Sequence, residues 1–279
     1  MRTPLSPAEA VLAVAVAGLL LVAVLAPGLS QPGDYHRFAD QRALWQVPMA
    51  MDVLSNLAFA MSAAFGAAAL WRARPALSKV QRAMAAHFFC GLLLTASGSA
   101  WYHLAPDEAG LAIDRAGMAI AFGGLLGLAA ASRVSERAGA WLGLATLILG
   151  PVAAHVAFAS GNVLPWAALQ FGAIAVVFML AVRGARAGSL PLPLMPVLLA
   201  YAVAKLLELN DSAIFDCTGQ IVSGHTLKHV AAAFAAAPVI FALRKAGTRL
   251  QDAPGDTATR RSSAHTAGHA MTLHRRRSK

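Results

Sequence analysis

Eight apolar runs govern what this chain can become. Each is near the roughly 20 residues that a helix needs to cross the hydrocarbon core of a bilayer. They fall at approximately 8–27, 51–72, 80–103, 111–132, 138–158, 163–183, 190–209 and 221–244, separated by clusters of Pro, Gly and charge such as Pro27-Gly28, Pro32-Gly33, Pro75, Ser160-Gly161-Asn162 and Pro191. Lipid offers no partner to a backbone N–H or C=O, so such runs must satisfy their own hydrogen bonds as helices. The chain is 58% hydrophobic and 13% charged, against about 25% charged in a soluble domain. The expected fold is therefore an all-α membrane protein with a single helical domain. A net charge of +10 does not point to nucleic acid, because much of it lies in short loops and in the tail. Residues 247–279 are basic and rich in Ser, Thr, Ala and His, and read as a disordered cytoplasmic tail. Cys90 falls within a run and Cys217 near a membrane surface, so no disulfide between them is expected.

Loop charges give an orientation. Arg72, Arg74, Lys79 and Arg82 follow the second run, Arg133, Glu136 and Arg137 the fourth, Arg183 and Arg186 the sixth, and Arg244, Lys245 and Arg249 the last. The acids gather in the opposite loops: Asp34, Asp40 and Asp52, then Asp107, Glu108 and Asp114, then Glu208, Asp211 and Asp216. Eight crossings place every basic loop on one side, so the positive-inside rule puts both termini in the cytoplasm. The high alanine content and short loops suit a bacterial inner membrane. Pro27-Gly28-Leu29-Ser30 is a poor cleavage site, so residues 1–30 read as a retained N-terminal membrane helix.

Within this frame a few polar residues share one depth. His225 and His229 are four apart at the start of the last run, on one helical face. His103 ends the third run, with Ser99 one turn before it, and Asp114 opens the fourth. All lie at the non-cytoplasmic end, and ionisable groups in a span point to function. Three imidazoles leave one tetrahedral position of zinc open, the layout of a catalytic site. Such an ion activates water and polarises a carbonyl. A carboxylate nearby can carry a proton to a leaving amine, and a serine hydroxyl can donate to a developing oxyanion. Each residue alone has a plainer reading: His103 as an interfacial histidine, Ser99 as a packing residue, Asp114 as a helix N-cap. Their joint placement favours chemistry.

Ser99-x-x-x-His103, Asp114 and His225-x-x-x-His229, with Asp52-Val53-Leu54-Ser55-Asn56-Leu57 ahead of them, resemble the alkaline ceramidase family. That family belongs to a superfamily of seven-helix membrane hydrolases that includes the adiponectin and progestin receptors. The likeness runs from roughly Asp34 to Phe241 and implies a seven-helix ceramidase-like bundle over 31–246, with the first helix an addition. It further implies zinc on His103, His225 and His229, with Ser99 and Asp114 catalytic. The implied reaction is hydrolysis of a ceramide-like N-acyl lipid to a fatty acid and a long-chain amine. Eukaryotic members carry a calcium site built from acids just before the Ser-Asn helix. Here Met49 stands where a glutamate ligand is expected, and Asp34, Asp40 and Asp52 read as solvated loop charges, so calcium is not expected. The alternative from another class is a non-enzymatic receptor or lipid-binding protein with a structural zinc, which a fourth protein ligand would mark. A membrane lipid is the expected partner in either case. Lys228 can pair with Glu208 or Asp211 near the site or snorkel to the surface, and snorkelling is the expectation. Ser55 and Asn56 should bond between helices. Trp45, Trp101 and Tyr102 suit an interfacial belt.

Overall fold

Short polar residues just ahead of the apolar runs start the helices. The structure, a computed structural model, describes residues 4–251. Among them the order is α1 (Pro7–Leu25), α2 (Ala50–Ser55), α3 (Leu57–Ala73), a 3-10 turn (Arg74–Ala76), α4 (Lys79–Leu104), α5 (Glu108–Arg133) and α6 (Glu136–Ser160). There follow α7 (Leu164–Ala181), α8 (Leu194–Leu209), α9 (Asp211–Cys217), α10 (Gly224–Phe234) and α11 (Ala237–Gln251). Ser6 and Ser78 form capping boxes with Glu9 and Gln81, and Asp107, Ser135 and Ser223 each accept a first-turn N–H. Asp107 caps α5, so Asp114 is not an N-cap; it lies well inside the helix.

Seven segments are long and apolar enough to cross a membrane: Pro7–Leu25, Ala50–Ala76, Lys79–Leu104, Glu108–Arg133, Glu136–Ser160, Leu164–Ala181 and Gly224–Arg249. The run expected at 190–209 becomes α8, of 16 residues, only about 24 Å long at ~1.5 Å per residue. Pro191 and Pro193 account for the loss, since each lacks an N–H and holds the residue before it extended. The second and last runs are each broken, at Asn56 and at Ala235-Ala236. The tail expected from 247 begins as helix, because α11 continues to Gln251; the remainder lies outside the described residues. Both cysteines are free.

Helices α4 and α5 pack antiparallel with their backbones touching. A Cβ on Gly124 would sit 2.2 Å from the Phe88 nitrogen, the small-residue packing common between helices in lipid. This contact brings the end of α4 against the beginning of α5, and α10, packed against α8, α3 and α2, meets the end of α4 through its histidines. The far end of the bundle is basic and firmly tied. Buried Glu9 of α1 accepts from Arg137 Nη2 at 2.5 Å and from Ser135 Oγ at 2.5 Å, while Arg186 reaches Glu136 at 3.2 Å. At its other end α1 is fastened by the Leu29 N–H to Asn162 Oδ1 (3.0 Å) and the Val163 N–H to the Leu29 carbonyl (2.8 Å).

Candidate metal centre

His103 stands in the last turn of α4, and His225 and His229 occupy the first two turns of α10. All three are buried, and their ligand nitrogens lie within 4.8 Å of one another. His225 Nε2 and His103 Nε2 are 3.3 Å apart. That is long for a hydrogen bond between ring nitrogens, which is usually about 2.7–3.2 Å. It matches two nitrogens on one tetrahedral ion, which bonds of roughly 2.0–2.1 Å put about 3.3 Å apart. The triad can therefore hold a metal ion.

Its surroundings prepare it for that role. Ser55 Oγ donates to the Asp52 carbonyl (2.9 Å) and accepts from His229 Nδ1 at 2.8 Å. This hydrogen-bond pattern puts the His229 proton on Nδ1 and leaves Nε2 with a free lone pair, the way ligating histidines are usually oriented. The His225 backbone N–H donates to Asp211 Oδ1 (2.7 Å), and the Ala39 N–H donates to Asp211 Oδ2 (2.9 Å). Asp52 Oδ1 accepts from Thr226 Oγ1 at 2.6 Å and more weakly from Ser223 Oγ at 3.5 Å. Gly224 lets the start of α10 lie close against α8, because a Cβ there would lie 2.2 Å from the Leu207 carbonyl oxygen. Above the histidines, Phe38 lays its ring against His103 (centroids 4.6 Å apart) and His225 (4.5 Å). Its segment is pinned by Asp40, which takes Arg42 Nε at 2.8 Å and Nη2 at 2.6 Å, while Arg42 Nη2 also reaches the Ile221 carbonyl at 2.9 Å. Burial pushes the Asp40 carboxyl up, but the Arg42 guanidinium and backbone N–H outweigh it and hold the group below the usual carboxylate range.

A cavity of about 140 Å³ opens beside His229, and the lengthwise order of the antiparallel helices gives it a polar and an apolar end. Ser99, Asp114, Lys205, Glu208 and Lys228 join His229 at the first. Phe88, Leu92, Phe122, Leu125 and Val197 wall the second. Ser99 is within interaction range of Asp114, whose Oδ1 is buried without a partner among the described residues, as is His103 Nδ1.

The five residues singled out in the sequence thus come together, with Asp114 set on the cavity wall and outside the histidine cluster itself. Ser55 bonds between helices as expected. Asn56 instead donates to the Asp52 carbonyl within its own segment (2.8 Å). Four further expectations are overturned. Asp40 and Asp52 are buried and bonded, where solvated loop charges were expected. Lys228 does not snorkel; its ammonium donates to Glu208 Oε1 at 3.0 Å. Tyr102 is buried and hydrogen-bonded to His36 (2.8 Å), unlike the exposed Trp45 and Trp101. Phe38 and Asp211 were not foreseen: one phenylalanine in a loop carries no signal, and Asp211 counted only as one loop charge among several. No family model matches the chain, and neither a curated protein nor a solved structure does.

Proposed function

We propose that the chain is a zinc-dependent intramembrane hydrolase that cleaves the amide bond of a ceramide-like N-acyl lipid, releasing a fatty acid and a long-chain amine. The observation that carries this reading is a buried three-histidine cluster that reaches, through His229, the polar end of a cavity whose other walls are mostly apolar. Three imidazoles as the whole protein ligand set suit catalytic zinc. No carboxylate or thiol joins them among the described residues, which favours an open coordination position over the closed clamp of a non-enzymatic receptor.

A zinc ion held by His103, His225 and His229 would supply a Lewis acid and an activated water. Asp114 has an uncommitted oxygen beside the cavity; it takes the proton of the attacking water and returns it to the leaving nitrogen. Ser99 donates its hydroxyl hydrogen to the carbonyl oxygen as negative charge develops there. The apolar walls hold the acyl chain, which enters sideways from the bilayer. With the shorter α8 counted as an eighth crossing, running from the Arg183–Arg186 loop back to the cavity, both termini face the cytoplasm and the site lies near the opposite face, consistent with the basic ties around Arg137 and Arg186 at the far end of the bundle.

The test is purified protein of measured zinc content, incubated with a panel of N-acyl lipids and assayed for free fatty acid. Changing His225 to Ala should lower the rate several hundred-fold, on the order of one lost transition-state contact. Undiminished turnover in that protein would overturn the assignment.

A further inference from the structure

Two lysines share one glutamate at the polar end of the cavity. Lys228 Nζ donates to Glu208 Oε1 at 3.0 Å, and Lys205 Nζ donates to Glu208 Oε2. Both oxygens of the glutamate are thereby engaged by ammonium groups. Each ammonium has three N–H donors, and among the described residues each spends one on Glu208. The side chains keep 20% (Lys228) and 31% (Lys205) of their surface open, and both line the cavity. Asp114 is on the facing helix and bonds to neither.

Charged groups within a span are costly and persist for a reason. Linking α10 to α8 accounts for Lys228 and Glu208. It does not account for Lys205, which lies three residues from Glu208 on the same helix and ties nothing together. Asp114 on the facing wall balances the second positive charge but takes no hydrogen bond from either lysine, so both ammonium groups keep donors for a ligand in the cavity. Lys205, Lys228 and His229 line one cavity, so a group held by the lysines shares that space with an amide presented to the triad. Ammonium groups bind carboxylate and phosphate more strongly than neutral hydroxyls.

We infer that the lipid cleaved here is anionic: an N-acyl compound bearing a carboxylate or phosphate close to the scissile amide, with Lys205 and Lys228 as its binding residues. The inference rests on the amidase reading above and narrows it. For an N-acyl amino acid, water adds across the C–N bond to give a fatty acid and the free amino acid.

Matched pairs test it on the zinc-loaded, detergent-solubilised protein. N-palmitoylglycine and N-palmitoylethanolamine share chain and amide and differ by a carboxylate against a hydroxymethyl. C16 ceramide 1-phosphate and C16 ceramide do the same for phosphate. Affinity and kcat/KM should favour the anionic member of at least one pair by about tenfold, the worth of one hydrogen bond to a charged group. The pair that shows the preference tells carboxylate from phosphate. Lys205→Gln, which keeps the Lys228–Glu208 link, should remove most of the preference, chiefly through KM. Equal handling of both members in both pairs overturns the inference, as does a preference that survives in folded Lys205→Gln protein; if that variant does not fold, the wild-type comparison decides. Cleavage of neutral lipids alone would sink this inference and leave the amidase standing. Selective binding of the anionic members with no cleavage would do the reverse.

Discussion

On the side of the histidine cluster that faces α2 and the segment 26–49, most polar groups are engaged and no carboxylate lines the cavity, although Asp52 Oδ2 and Asn56 Oδ1 are buried without a partner among the described residues. Asp52 takes the Thr226 hydroxyl, Ser55 takes His229, Asp211 takes the His225 and Ala39 amides, and Asp40 takes Arg42. On the side that faces α4, α5 and α8, Asp114 keeps an oxygen free, Ser99 lines open space and two lysines have donors to spare. Both flanks contain buried carboxylates at one level of the bundle, yet only the second leaves them able to meet a substrate. A carboxylate shut away from the cavity, with neighbouring donors on one oxygen or both, orients what it touches. One with an empty lone pair on a cavity wall can accept a proton. On the proposed reading, the two flanks divide into a part that builds the site and a part that would work in it.

That division is broken most severely at Asp114. Asp114→Asn should lower amide hydrolysis at least a hundred-fold while zinc content and folding stay near wild type, since the side chain is close in shape and outside the ligand set. Zinc lost in proportion to activity would show instead that Asp114 belongs to the building flank.

Asp52→Ala should give the opposite pattern. It removes the acceptor of the Thr226 hydroxyl and loosens α2 against α10. Partners of this kind usually affect metal affinity by about 10–100-fold. Competition with a chelator should register that loss, and much of the activity should return at saturating zinc. Ser55→Ala removes the acceptor of the His229 Nδ1 proton and frees the tautomer. A smaller fall in zinc affinity, about tenfold, is expected by the same titration. If Ser55→Ala outweighs Asp52→Ala, the first turn of α10 is held mainly by something else.

The five site residues were legible because each is a polar group in an otherwise apolar span, and antiparallel crossing places them at one depth without any knowledge of packing. That is why the histidines were expected to meet and Ser99 and Asp114 to lie near them, as they do. The building flank was not legible in this way, since its members sit in the connections. Phe38, Asp40 and Asp211 look like ordinary loop residues until the chain folds back over the histidines, and no periodicity marks a loop. For Lys228 both snorkelling and pairing with Glu208 were open, and the sequence could not choose between them because the pairing depends on how α10 packs against α8. The shortening of α8 did have a signal, in Pro191 and Pro193, at the beginning of a run whose length was counted through them.

The smallest expected effect tests whether the building flank holds through charge. Asp40 is buried and its carboxyl is held below the usual range, the Arg42 guanidinium and backbone N–H outweighing burial. A folded value below the unfolded value of about 3.9 means that the pairing contributes stability above that pH. The contribution is lost as pH falls through the folded value. Arg42 is itself half exposed, at 45%, so solvent and salt screen the pair and the effect is modest. In detergent, the melting temperature of wild type should exceed that of Asp40→Asn at pH 6, and the two curves should draw together toward pH 3 as the wild-type carboxylate takes up its proton. Parallel curves over that interval would mean that Asp40 secures the segment above His103 and His225 by hydrogen-bond geometry alone. The closed flank would then owe its order to donors and acceptors in place, as Asp52 and Asp211 do, and not to ion pairing.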